Sequence, residues 1–432
     1  MTSTDRRQFL TTAAAVAAST GCAVRPGPFA SALGVGREDT LNLALVGCGG
    51  RGKGSIGDTM AVNDGVRLVA ISDVNEGKVQ AAKANLEKSH GDKVQIANEQ
   101  AHVGLDGYQA ILNNPSVDVV HFTTSPGFRP RHVLEAVQAG KHVFAEKPVC
   151  VDPAGWRICK EAHELAKKNG TAIVTGTQYR RQKNYVEAIE MIKQGAIGTV
   201  KGMTARYCST GIWNRERQEG MTDAEYQINN WMHFIWLSGD QICEQAVHNV
   251  DVMTWLLGNP TTAYGSGGRF TRPEDSQMWD SMSVDYTFDA PEGERLCSFM
   301  CRQIPGTAGN ADNMIYGSEG VASIKAINGG TRIVDADGKV IYRERGDIGV
   351  AYRQEHKDLI DSIRGGSPIV ELQDTADASL AAVMGRVAAY TGQKISWKQI
   401  TESKLDLFPK ELSLDASLPN DGYAIPGRTQ FV

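Results

Sequence analysis

An apolar, strand-like run ends in an acid, a base and a proline: Glu146, Lys147 and Pro148 within VFAEKPVCVD, residues 143–152. Alone, the triplet reads as a turn, because proline cannot extend a ladder and charges prefer water. Its context suggests chemistry. Upstream, Gly47-x-Gly49-x-x-Gly52 follows the apolar run LNLALV and opens a helical stretch, and Asp73 ends the next run, VRLVAISD. Gly47 permits a tight turn, Gly49 lets a pyrophosphate approach the backbone, and Gly52 lets helix and strand pack closely. The helix N-terminus adds free N–H groups and a positive partial charge for phosphates. Gly50 and Arg51 share that turn, with Arg51 placed to lie against the pyrophosphate. Asp73 is placed to accept hydrogen bonds from an adenosine ribose. A carboxylate there repels a 2′-phosphate, which favours NAD over NADP.

The elements that must position these groups alternate. The runs at 41–46, 66–73, 117–124 and 141–146, then TAIVTG, read as strands separated by helical stretches. Such alternation predicts a parallel, doubly wound sheet, here over residues 40–178. Ligands of such sheets bind beyond the carboxyl ends of the strands. Glu146 and Lys147 are therefore expected near the nicotinamide, with Thr124 and Pro126 on a loop that crosses the cofactor. Residues 179–403 have a different rhythm. VKGMTARYC, SMSVDYTFD, RLCSFMCRQ and TRIVDADGKVIYRE are strand-like runs with short turns, and Asp337-Gly338 signals a hairpin. The expectation is an α/β chain: a Rossmann sheet followed by an α+β domain with a largely antiparallel open sheet. That domain has helices at 181–194, 240–257, 353–364 and 374–390. Residues 404–432 form a tail with little periodicity.

AGKHVFAEKP after such a sheet resembles the glucose–fructose oxidoreductase and inositol dehydrogenase family (Gfo/Idh/MocA). GDQICEQAVHNVDVMTWLLG, residues 239–258, looks like that family's second motif, with Glu244 where the family usually carries Asp. GTQYRRQ, GAIGTVKG and YGSEG match further landmarks. The resemblance implies nicotinamide-dependent oxidation of a sugar or polyol, with the lysine of Glu-Lys-Pro binding substrate and assisting proton movement. On a continuous helix Glu244, His248 and Asp251 share one face and can converge. His248 is then the general base, since imidazole titrates near neutrality. Lys147 stabilises the reacting oxygen, and Glu244 orients His248 or a substrate hydroxyl. Tyr179, Arg180 and His233 are further candidates for substrate contact, although His233 also suits a core position. Trp213, Tyr226, Trp231 and Trp236 would suit stacking on a sugar ring or ordinary packing. No metal is expected.

The 432 residues suit two domains, and a net charge of −5 argues against nucleic acid as the main partner. Arg6 and Arg7 before a short, small-residue apolar run resemble a twin-arginine export signal, with a small-residue cleavage site at Ala30-Ser31-Ala32. Residues 1–36 are thus expected to be signal and linker. The protein is expected to be periplasmic, without a membrane anchor after export. Cys22 follows Gly21 as in a lipoprotein site, but Ser19 stands where Leu is wanted. The remaining cysteines are scattered and suggest no disulfide framework. A homo-oligomer acting on a small carbohydrate or glycoside, with tightly held NAD, is the expected form. Two alternatives are an NAD-dependent glycoside hydrolase using transient oxidation and elimination, and a non-catalytic sugar-binding relative.

Overall fold

The computed structural model describes residues 40–431; the expected signal at residues 1–36 lies outside the described residues. The first sheet comprises β1 (Leu41–Val46), β2 (Val66–Asp73), β3 (Ala101–Val103), β4 (Val119–Phe122), β5 (His142–Ala145) and β6 (Ile173–Thr175). Their order is β3-β2-β1-β4-β5-β6, all parallel. Helices α1 (Gly50–Val62), α2 (Glu76–His90), α3 (Gly107–Asn113), α4 (Arg129–Gln138) and α5 (Pro153–Asn169) connect them. Both faces of β1 are buried: Ala44 and Val46 join one core cluster, Leu43 and Leu45 the other. This is why the strand reads as a continuous apolar run rather than an alternation. Asp152 caps α5 by accepting from Gly155 N at 2.6 Å, Pro153 occupies its first turn, and Gly170 ends it in the left-handed region.

After α6 (Lys183–Lys193) comes β7 (Val200–Ser209). Four helices then precede the next strand: α7 (Asp223–Asn229), α8 (Ile235–Ser238), α9 (Gln241–Glu244) and α10 (Val247–Leu257). Strands β8 (Thr262–Gly268), β9 (Ser281–Phe288), β10 (Arg295–Gln303), β11 (Asp312–Gly317), β12 (Gly320–Lys325), β13 (Gly330–Asp335) and β14 (Val340–Arg345) follow. Then come α11 (Ile348–Arg364), α12 (Leu372–Thr391), β15 (Ile395–Ser396) and α13 (Trp397–Glu402). The second sheet has the order β14-β13-β12-β11-β7-β10-β9-β8-β15. Only β7 and β10 pair in parallel. One face packs Val284, Tyr286, Cys297 and Phe299 against α10 and α12. The other leaves Tyr264, Leu296 and Tyr316 exposed.

Two features depart from the sequence reading. The helix expected over 240–257 is broken. Ala246 N–H bonds the carbonyl of Gln241, five residues back, which widens the turn between α9 and α10 as a π-type bulge does. Helix α11 starts at Ile348, five residues before the expected start, because Asp347 caps it by accepting from Val350 N at 3.1 Å. Helices α11 and α12, late in the chain, also complete the first sheet. Leu359 and Ile360 enter one of its core clusters, Leu372 and Ala376 the other. Val370 bridges Ile173 at the edge strand.

The tail is packed rather than loose. Asp152 accepts from Leu407 N at 2.8 Å and Arg157 donates to Ser403 O at 2.8 Å. Phe408 meets Phe128 and Trp236 edge-on, and Arg131 lies over its ring. Among the described residues, no helix is long and apolar enough to cross a membrane.

Candidate functional site

The glycine turn between β1 and α1 fits the reading made from its sequence. Gly47 has φ +99°, where a side chain is strained. A Cβ on Gly52 would meet the Gly47 carbonyl oxygen at 2.0 Å, so close packing of turn and helix requires glycine. Cβ atoms on Gly49 and Gly50 would meet nothing within 4 Å. There the backbone borders an open groove at the first turn of α1, where peptide N–H groups await an anion. Asp73 accepts from Cys48 N at 2.8 Å and from Asn75 N at 3.0 Å. Each carboxylate oxygen keeps a lone pair for a ribose hydroxyl. The groove runs from Asp73 and Lys78 past Gly49 to Thr123–Ser125. It has the shape and donor set for a dinucleotide.

A second cavity continues from the first, sharing Thr123, Thr124, Ser125 and Trp231 with it. Into it come Glu146 and Lys147 from the end of β5, Glu244 from α9, and His248 from α10. Lys147 Nζ donates to the Glu244 backbone carbonyl and lies 3.3 Å from Glu244 Oε1. Glu244 therefore partners Lys147, whereas the sequence reading gave it to His248 or to substrate. The turn between α9 and α10 separates the expected triad. Glu244 and His248 face the cavity, while Asp251 is turned to Arg180, whose Nη2 donates to its Oδ1 at 2.8 Å. His248 is half-buried beside Tyr179 and Tyr207. Removal from bulk water, reinforced by the Lys147 and Arg51 cations, holds its imidazole well below the usual value. The ring is consequently neutral near pH 7 and able to accept a proton.

Arg51 does not follow the expected pyrophosphate. Its Nε donates to Glu146, its Nη2 to Glu355 Oε1 at 3.2 Å, and its guanidinium stacks 4.3 Å from the Tyr352 ring centroid. Both new partners lie on α11, which the sequence reading did not connect to the site. Burial works against the charge of Glu146, but Arg51, Lys147 and Arg129 outweigh it and hold the carboxyl below its usual range. Glu355 is fully buried with Oε2 unpartnered. Burial raises its pKa well above the usual value against the pull of Arg51, and Glu146 adds to the rise. The shared cation thus favours the charge of Glu146, while burial disfavours that of Glu355.

Other candidates are placed elsewhere. Tyr179 is buried, stacks on Tyr185 and accepts from Ile327 N at 3.2 Å through its hydroxyl. Arg180 is committed to Asp251 and Asp374. His233 bonds Ser276 Oγ and the Trp213 carbonyl, both at 3.0 Å, so neither ring nitrogen is left for substrate. Arg180 and His233 are thus engaged by other protein groups, while Tyr179 stands against His248, its ring centroid 5.4 Å from the imidazole. Pro126 is buried next to Thr124, in the short turn whose Gly127 packs under Trp236. Conversely, Arg129, Gln178, Tyr207, Gln245 and Tyr352 line the cavity without having been singled out, and Trp231, read from the sequence as a ring suited to stacking on a sugar or to packing, lines it with them. A local signal existed for Gln245, adjacent to Glu244, and for Gln178, adjacent to Tyr179 in GTQYRRQ. Among the described residues, no group of three His, Cys, Asp or Glu is arranged to hold a metal, and the seven cysteines are buried and unpaired.

Comparison with known proteins agrees with this architecture. A family model described as the Gfo/Idh/MocA oxidoreductase family, NAD-binding Rossmann fold, matches residues 41–177, and that family's C-terminal domain model matches 185–323. The inositol 2-dehydrogenase of Salmonella typhimurium is 29% identical over 219 residues, covering 50% of this chain and 55% of the relative. An inositol 2-dehydrogenase of Ralstonia nicotianae is 26% identical over 260 residues, covering 60% and 66%. The chain thus spans about half to two thirds of these relatives' length. Among solved structures, levoglucosan dehydrogenase in complex with NADH and levoglucosan has a TM-score of 0.65 at 16% identity, covering 83% of this chain and 99% of that one. The WlbA dehydrogenase of Bordetella pertussis, in complex with NADH and UDP-GlcNAcA, has a TM-score of 0.62 at 21% identity, covering 83% and 98%. These two likenesses are of fold.

Proposed function

The chain belongs to the Gfo/Idh/MocA family of oxidoreductases, and from that premise we propose that it oxidises a hydroxyl-bearing carbon of a sugar or polyol. The observation that carries this reading is the meeting of Lys147 and neutral His248 in one cavity, at the end of the dinucleotide groove. NAD, when bound, supplies the acceptor for the hydride that leaves the carbinol carbon. Gly47, Gly49, Gly52 and Asp73 would hold it. His248 takes the hydroxyl proton, a transfer for which a neutral imidazole is suited. Lys147 spends two contacts on Glu244, and its ammonium carries three donors. The third is available to the reacting oxygen as charge develops there. Glu244 fixes where the ammonium points, and Arg51 with Glu146 forms the fixed wall behind it.

The cofactor is proposed to stay bound between turnovers. Ile228 and Trp231, at and just after α7, line the dinucleotide groove. Their segment is held by the tail: Thr222 Oγ1 donates to the Leu414 carbonyl and Gln227 Nε2 to Leu418 O at 2.9 Å. Export through the twin-arginine route, which carries folded proteins, suits such a loaded enzyme. Replacing Arg6→Lys and Arg7→Lys should leave the protein in the cytoplasmic fraction, and unchanged periplasmic yield removes that proposal. The exposed outer face of the second sheet is proposed to carry a homo-oligomer contact, which light scattering on the purified protein can test.

The experiment for the activity is a panel of sugars, polyols and aryl glycosides, with reduced nicotinamide read by absorbance. Oxidation of at least one free sugar or polyol, dependent on Lys147 and His248, is the expected result. Release of sugar from glycosides with no net reduced nicotinamide would replace this reading by the hydrolytic one.

A further inference from the structure

Four aromatic residues suit a sugar ring by type, and their positions differ. Tyr226 and Trp236 belong to a core cluster with Phe234 and Leu237, and Trp236 spends its indole N–H on Gln227. Trp231 lines the reacting-end cavity and the dinucleotide groove alike. Trp213 stands beside it, ring centroids 6.4 Å apart, and is 38% exposed. The chain reaches Trp213 from the cavity wall. Tyr207 on β7 lines that wall, and Ser209, the last residue of β7, lies 3.5 Å from Oε1 of Gln245, another lining group. Between β7 and α7 there is neither helix nor strand, yet residues 213–215 are pinned. Buried His233 donates Nε2–H to the Trp213 carbonyl at 3.0 Å. Asn230, fully buried, donates to Asn214 Oδ1 at 2.7 Å and accepts from Arg215 N at 3.1 Å.

These bonds hold the backbone and leave the indole partly in water. An apolar ring held in water beside a ligand cavity gains free energy when a ligand covers it. Its border indicates which ligand. The Arg215 guanidinium lies over the ring, its Cζ 4.1 Å from the centroid, and spends Nη1 on the Asn229 carbonyl. Its Nε and Nη2 have no protein partner among the described residues, so donors rim the apolar surface. A pyranose matches both parts: its axial C–H groups make an apolar face, and its hydroxyls accept from a guanidinium. A purely apolar group would use the indole alone. We propose that Trp213 and Arg215 form a second subsite, for a sugar ring linked to the one that reacts at Lys147 and His248. The substrate is then a disaccharide or a longer glycoside with its reacting ring inward. The proposal rests on the oxidoreductase reading above and adds the length of the substrate to it.

The test is calorimetric titration of the NAD-loaded full protein with glucose and galactose and with disaccharides that contain them: maltose, cellobiose and lactose. At least one disaccharide should bind about tenfold more tightly than its monosaccharides, the scale of covering one indole face. Trp213→Ala should remove that advantage and leave monosaccharide affinity unchanged, because the bonds that pin the segment are made by the Trp213 backbone and by its neighbours. Trp213→Phe should keep most of it. Monosaccharides that bind as tightly as every disaccharide, or a Trp213→Ala variant that weakens both alike, overturn the subsite while leaving the oxidoreductase reading standing. An aryl glucoside that gains the Trp213-dependent advantage when no disaccharide does overturns the sugar assignment. Disaccharides that bind through Trp213 but are never oxidised support the subsite and overturn the oxidoreductase reading instead.

Discussion

Lys147 and Glu244 are contributed by different sheets' connections, yet the Lys147 ammonium lies 3.3 Å from Glu244 Oε1. Both side chains are mostly buried, so removing one leaves the other charge with little water to compensate. Lys147→Ala is expected to slow turnover by about 10²–10⁴-fold, the usual contribution of a proton-handling group, and to cost ~1–3 kcal/mol of stability. Steady-state kinetics and a thermal melt read the two effects separately. Near-normal turnover would show that Lys147 is not at the reacting oxygen.

The pH profile tests His248. A base works when unprotonated, and this ring's pKa is held well below the ordinary imidazole value of about 6.5 by burial, then by Lys147 and Arg51. The acid limb of kcat/KM is therefore expected below pH 6.5, with activity lost as pH falls through the depressed value. Removing a nearby cation relieves part of that depression, so in Lys147→Ala the limb of the residual activity should move to higher pH. A limb that stays put in the variant argues that another group is titrating.

The glycine turn separates packing from ligand contact. Gly52→Ala drives a methyl to within 2.0 Å of the Gly47 carbonyl oxygen and should destabilise the fold by ~1–3 kcal/mol as well as weaken NAD binding. Gly49→Ala adds its methyl to open space. It should leave the melting temperature unchanged while weakening NAD, because the methyl occupies the approach of the pyrophosphate. Equal effects of the two substitutions on the melt would contradict this assignment.

At Asp73, replacement by Ala removes the acceptor shared by Cys48 N–H and Asn75 N–H and offered to the ribose. The expected loss in NAD affinity is about 1.5–3 kcal/mol, as for a hydrogen bond to a charged group. Titration calorimetry with NAD and NADP should also show the preference between them narrowing.

Much of this site was legible locally, because its parts are local. The glycines, Asp73 and the Glu-Lys-Pro triplet each sit at a strand end, and strand ends follow from short apolar runs. What was not legible depends on pairings far apart in the chain. Nothing near Arg51 indicates that its partners are Glu355, 304 residues away, and the Tyr352 ring. The turn after Glu244 was hidden differently. GlnAlaValHis contains neither Gly nor Pro, so periodicity continued a helix that the structure interrupts, and Asp251 was assigned to the wrong face. His233 takes the core position its aromatic surroundings suggested, but its partners, Ser276 and the carbonyl of Trp213, belong to loops without a pattern.

The tail offers a handle on cofactor retention. Phe408 closes against Phe128 and Trp236, and Phe128 lines the dinucleotide groove. Phe408→Ala is expected to speed NAD release by about tenfold, a change of ~1.4 kcal/mol. The measurement is loss of bound nucleotide from protein purified without added NAD and then dialysed. If parent and variant both lose their nucleotide at once, retention by the tail is disproved.

The lateness of α11 and α12 in the chain has a consequence for biosynthesis. The first sheet needs Leu359, Ile360, Leu372 and Ala376 to close its two cores, and the wall behind Lys147 needs Tyr352 and Glu355. On the ribosome, translation must proceed from β6 through α12 before those faces are covered, roughly 10–40 s at ~5–20 residues per second. The nascent dinucleotide domain therefore waits with apolar surface bare, a client for chaperones.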